Sequence, residues 1–165
     1  MRILFTFLLV SFLSFSSFAQ KDQLTAFEPL VGGTWVAEGK WSDGNIFKQE
    51  VSFRYDLSEN VVIAETKGFT DKDQTVFGNR NHGIRKYDPA TKQIRFWEFD
   101  AFNGLTEGII TVSDKNLYYQ YTYGESLITD GWEYQDENTY QYKVGVYAGG
   151  RWEETYLNTT FTREK

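Results

Sequence analysis

Leu30-Val31-Gly32-Gly33-Thr34-Trp35-Val36-Ala37-Glu38-Gly39-Lys40-Trp41 is where the chain turns from a short helical lead-in to its first strand. Trp35, Ala37, Gly39 and Trp41 then recur at the two-residue period that puts alternate side chains on one face of a β-strand. Before it, Leu24, Phe27 and Leu30 repeat every three residues over 21–30, with Pro29 to limit the helix and Asp22 placed to cap it. After it the pattern is one of short strands broken by turn residues.

The turns come at Asp43-Gly44, Ser58-Glu59-Asn60, Asp88-Pro89, Asn103-Gly104, Asp114-Lys115-Asn116, Asp136-Glu137-Asn138 and Gly149-Gly150. Between them the spacing predicts strands at 34–42, 46–55, 61–69, 77–87, 93–101, 105–113, 117–123, 126–135, 139–147 and 151–163. Phe47, Val51, Phe53 and Tyr55 against Lys48, Glu50, Ser52 and Arg54 is the clearest half-buried alternation. Only residues 70–76 make a connection of any length. Ten strands with short connections read as an antiparallel meander, and closure into an up-and-down barrel of about 8–10 strands removes its exposed edges. A two-sheet sandwich is the competing arrangement, and it calls for longer cross-sheet connections.

Residues 1–19 read as a secretory signal: Arg2, an apolar run through Leu13, and small residues at Ser17 and Ala19. The run is short of the roughly 20 apolar residues a spanning helix needs. Cleavage after Ala19 leaves 20–165 as one domain of 146 residues, exported to a periplasmic or extracellular location. The chain has 17 basic and 23 acidic residues; without Arg2 the balance is 16 − 23 = −7. An acidic chain without a basic cluster is a poor partner for nucleic acid. No later segment is long or apolar enough to span a bilayer as a helix. With no cysteine, disulfides, thiolate metal sites and cysteine nucleophiles are excluded.

Gly33-Thr34-Trp35 resembles the Gly-x-Trp signature of calycins, the lipocalin and fatty-acid-binding superfamily. The resemblance implies a barrel in which Trp35 closes one end and a basic residue of the last strand packs across it. Arg163, in Thr160-Phe161-Thr162-Arg163, stands where that partner is expected. Together with Tyr87-Asp88-Pro89-Ala90-Thr91 and Phe96-Trp97-Glu98-Phe99-Asp100, the run 32–41 is similar to an uncharacterised bacterial secreted lipocalin-like domain family. That similarity covers nearly all of 20–165 and brings no catalytic residue. The chain departs from typical lipocalins in strand count and in lacking cysteines.

His82 is the only histidine, within Gly78-Asn79-Arg80-Asn81-His82-Gly83-Ile84-Arg85. If Asp88 faces Lys92, His82 falls opposite Glu98 and Arg80 opposite Asp100, and the next hairpin brings Glu107 beside Asp100. That face either lines a cavity and orients a ligand, or is a solvated outer wall of ion pairs with Trp97, Phe99 and Ile110 turned inward. A one-residue change of register dissolves it. Tyr119, Tyr121 and Tyr123 share a strand face, as do Tyr140 and Tyr142, and Trp41 is the best single candidate for a cavity wall.

Three readings follow. The first is a barrel binding a small apolar or amphipathic ligand, through Trp41, Arg80, His82, Glu98, Asp100, Tyr119 and Tyr121. The second is a hydrolase or isomerase using His82, Glu98 and Asp100. The third is a protein- or glycan-interaction module. A cavity above roughly 300 Å³ walled by Trp41 and tyrosines favours the first. Catalytic motifs are absent from the sequence, and no cofactor is expected. His82 with two carboxylates is a minimal set for a metal, and the superfamily barrels that hold haem use a histidine late in the chain.

Overall fold

The structure is a computed structural model that describes residues 23–164. The expected signal segment 1–19 and the Asp22 cap lie outside the described residues. The lead-in is a 3-10 helix, Thr25–Leu30, that starts without a side-chain cap and buries Phe27 and Leu30. Ten strands follow: β1 (Thr34–Lys40), β2 (Ile46–Asp56), β3 (Val61–Phe69), β4 (Phe77–Asp88), β5 (Gln93–Asp100), β6 (Leu105–Ser113), β7 (Asn116–Tyr123), β8 (Ser126–Asp136), β9 (Thr139–Ala148) and β10 (Arg151–Glu164). Each pairs antiparallel with its neighbours in sequence, and β1 pairs with β10 to close an up-and-down barrel. The strands lie within two residues of their expected bounds.

Closure is made where the opening stretch predicts it. Trp35 stands opposite Arg163 in the β1–β10 register, and the guanidinium lies 4.6 Å from the indole centroid. The Trp35 ring is fully buried, and its Nε1 donates to the Leu30 carbonyl at 2.9 Å. The 3-10 helix is thereby pinned under the same end of the barrel, where the Tyr55 hydroxyl also donates to the Leu24 carbonyl at 3.0 Å.

One side of the interior is filled by aromatic rings. Trp132 stacks on Phe161 with centroids 4.4 Å apart, and Trp35 meets Tyr140 edge-on at 5.3 Å. Ring pairs of this kind add roughly 0.5–1.5 kcal/mol each beyond the area they bury. Toward β4, β5 and β8, polar side chains stand among the rings. There the inward positions carry Asn81, Arg85, Glu98 and Asp130.

Candidate functional site

A cavity of about 150 Å³ lies in the barrel interior against these polar side chains. Its wall draws on β2 through Gln49, Val51 and Phe53, on β4 through Asn81 and Arg85, and on β5 through Phe96 and Glu98. Tyr119 and Tyr121 on β7, Asp130 and Trp132 on β8, and Tyr142 on β9 complete it. The alternation of these strands explains the mixture. Ile128, Asp130 and Trp132 occupy successive inward positions of β8, so an acid stands between two apolar residues on the same face.

Two polar groups are built on this wall. In the first, the Arg85 guanidinium, 3% exposed, is hydrogen-bonded through Nη2 to Glu98 Oε1 and through Nε to the Tyr119 hydroxyl at 3.3 Å. Burial by itself works against its charge, but Tyr119 and Glu98 outweigh that penalty and hold it protonated. Asn81 Nδ2 donates to Glu98 Oε2 at 3.1 Å, so both carboxylate oxygens are oriented. The guanidinium carbon also lies 5.2 Å from the Tyr119 ring centroid and 5.9 Å from that of Phe53. The remaining nitrogen, Nη1, has no hydrogen-bond partner and lies over Gly83, 2.0 Å from where a Cβ would stand.

The second group is centred on Asp130. Tyr121 donates to Oδ1 at 2.9 Å and Tyr142 to Oδ2 at 2.8 Å. Among the described residues no cation forms an ion pair with it. Burial pushes its carboxyl up to about 6, and the two tyrosine hydroxyls offset only part of that effect. Each carboxylate oxygen keeps acceptor capacity beyond its one tyrosine donor.

The expected cluster of Arg80, His82, Glu98, Asp100 and Glu107 does not form. Asp88 pairs with Gln93 rather than Lys92, and this single step puts His82 opposite Phe99 and Gly83 opposite Glu98. Glu98 therefore faces the interior beside Phe96, while Trp97 and Phe99 face outward, opposite to the inward placement considered for them. His82 sits on the outer wall with Nδ1 3.7 Å from Glu65 Oε1. Arg80 is also outside, bonded to the Phe69 carbonyl and lying over the Phe102 ring. Asp100 holds the β5–β6 turn by accepting from the Phe102 and Gly104 amides at 2.8 and 2.7 Å. Glu107 accepts from Trp97 Nε1 at 2.9 Å on the outer surface.

Of the residues singled out in the sequence, Glu98, Tyr119, Tyr121 and Tyr142 line the interior cavity. Arg80 and His82 line a separate outer groove of about 450 Å³ across β2, β3 and β4. Thr66 and Asn81 border both spaces, at the point where the β3–β4 register slips between Thr66 and Lys67. Trp41 borders neither, packing edge-on against Phe47 at 5.8 Å. The interior cavity, at about 150 Å³ and without Trp41 in its wall, thus does not meet the size and lining that would favour the apolar-ligand reading, although tyrosines do line it. Asn81, Arg85 and Asp130 are not among the residues the sequence singles out; for Asp130 a signal exists, since it falls in phase with Ile128 and Trp132.

Among the described residues no group of three or more His, Cys, Asp or Glu side chains converges as a metal site, and no helix is long and apolar enough to cross a membrane. In sequence comparison the chain matches no protein-family model and no curated protein.

Proposed function

We propose that this chain is an exported, calycin-like barrel whose task is to hold a small molecule in its interior cavity. The observation that carries the reading is the Asp130 carboxylate, turned into a cavity between Tyr121 and Tyr142 and, among the described residues, in no ion pair. A side chain serving only to fill the barrel at that position would be apolar, since burying a carboxylate costs stability unless it is paired.

The cavity sets the size and character of the ligand. An apolar cavity of about this volume accommodates a molecule the size of benzene. Arg85, Glu98, Asn81, Asp130 and three tyrosine hydroxyls line this one, so the chemistry favours a compact hydrogen-bonding ligand over the apolar or amphipathic one anticipated.

Native mass spectrometry of protein purified from its own host tests this directly. A retained adduct of about 60–150 Da is expected, displaced when Asp130 or Glu98 is replaced. Absence of any adduct, with no thermal shift across a library of compact polar compounds, overturns the reading.

A further inference from the structure

We infer that the ligand of this cavity is a small organic monocation, a protonated amine whose N–H groups are received by Asp130. The inference rests on the interior-binding reading above and specifies the charge of what is bound.

The charge balance of the wall points there. Three ionisable groups of fixed sign line the cavity: Arg85, Glu98 and Asp130. Arg85 and Glu98 neutralise each other through a direct bond, with Asn81 and Tyr119 fixing both partners. The unsatisfied Arg85 Nη1 lies over Gly83, in the space a Cβ would fill, and the guanidinium is committed to the wall. Asp130 remains. It is braced by two hydroxyl donors but paired with no cation, so the ionised cavity carries one negative charge in excess.

The other lining groups suit a cation as well. Asn81 Oδ1 is sealed from water without a donor, so the β4 wall holds one free acceptor beside the unpartnered Arg85 Nη1. Phe96 meets Tyr119 edge-on at 5.2 Å and Tyr121 at 6.3 Å, and Trp132 meets Tyr142 at 5.3 Å on the other side. Aromatic rings that line the same cavity as a carboxylate in no ion pair attract an organic ammonium by cation–π and ion-pair contact together. An anion would add like charge beside Asp130, and a neutral ligand would leave it without an ion-pair partner.

The test uses three probes of nearly equal shape and different charge: benzylamine, benzyl alcohol and benzoate, titrated calorimetrically into the protein near neutral pH. Benzylamine is expected to bind at least about tenfold more tightly than benzyl alcohol, and Asp130→Asn to reduce that preference to within about threefold. Should Asp130→Asn fail to fold, the wild-type protein still decides: benzylamine must draw the Asp130 carboxyl titration, followed by carbon-13 NMR, to lower pH. Equal affinity for benzyl alcohol overturns the cation assignment and leaves interior binding standing. Preference for benzoate overturns it in favour of Arg85 as the charge-reading group. No binding of any probe, with an unmoved Asp130 titration, overturns the cation assignment; a retained adduct from the host would then separate that failure from failure of interior binding.

Discussion

Arg163 lies across the indole of Trp35, guanidinium carbon 4.6 Å from the ring centroid, and so joins the last strand to the first. Its methylenes pass 3.1–3.2 Å from where a Cβ on Gly33 would stand, and its Nη2 donates to the Pro29 carbonyl. One side chain thus ties β10, β1 and the 3-10 helix at the closed end of the barrel. Replacing it with Met keeps the methylene contact with Gly33 and removes the charge. Arg163→Met should cost about 1–2 kcal/mol and Arg163→Ala about 2–4 kcal/mol in urea unfolding. If Arg163→Ala unfolds at the wild-type urea concentration, the clasp contributes nothing to closure.

Asp130 makes stability depend on pH in an uncommon direction. It is faced by Tyr119 and Tyr121 of β7, Tyr142 of β9, Glu98 of β5 and Arg85 of β4. Its folded value is raised from 3.8 to about 6, so between those limits the folded protein binds more protons here than the unfolded chain. Stability from this group is therefore full below about pH 4, declines as pH rises to about 6, and stays low above that. The difference is on the order of 2 kcal/mol, allowing for solvent that reaches the cavity. Asp130→Asn should be more stable than wild type by that amount near pH 7, with the gap closing near pH 4. The subtraction removes the exposed carboxylates Asp56, Asp71 and Asp88, whose lowered values act in the opposite sense. A gap that does not vary with pH would show that Asp130 is not titrating in this window.

Glu98 and His82 separate inner from outer wall. Glu98→Ala leaves the buried Arg85 guanidinium without its carboxylate, a loss of about 3–5 kcal/mol in denaturant unfolding. His82→Ala and Glu107→Ala remove half-exposed side chains and should each stay within about 0.5 kcal/mol of wild type. A severe His82→Ala and a mild Glu98→Ala would reverse the register of β4 on β5.

The contrast between those two residues also explains what could be read before the fold was known. Strand bounds and closure were legible because turn residues and the β2 alternation mark them locally, and because Trp35 and Arg163 occupy opposite ends of the meander. The cavity wall was not, because β4 carries no alternation: Asn79-Arg80-Asn81-His82-Gly83-Ile84-Arg85 is polar on both faces. Its facing is dictated by pairing with β3 and β5, and β5 is aromatic on both faces through Phe96, Trp97 and Phe99. With period-two information missing from both partners, one residue of turn length at 88–93 decided which side Glu98 would face.

Gly83 gives that pairing its sharpest check. It stands opposite Ala64 on one side and Glu98 on the other, and a Cβ there would lie 2.0 Å from Arg85 Nη1 and 2.9 Å from Glu98 Oε1. Arg85 is long, but its guanidinium is bonded to Glu98 and Tyr119 and packed beside Phe53, so it cannot yield without breaking the pair. Gly83→Ala should therefore destabilise by about 1–3 kcal/mol through overpacking. Gly78→Ala on the same strand is the control, since its Cβ would find its nearest neighbour at an ordinary 3.7 Å from Thr70. That change should be neutral or slightly stabilising, because alanine reduces the freedom of the unfolded chain. Equal thermal midpoints for the two variants would mean that Arg85 does not occupy the space over Gly83, and the Arg85–Glu98 pair would have to be placed elsewhere.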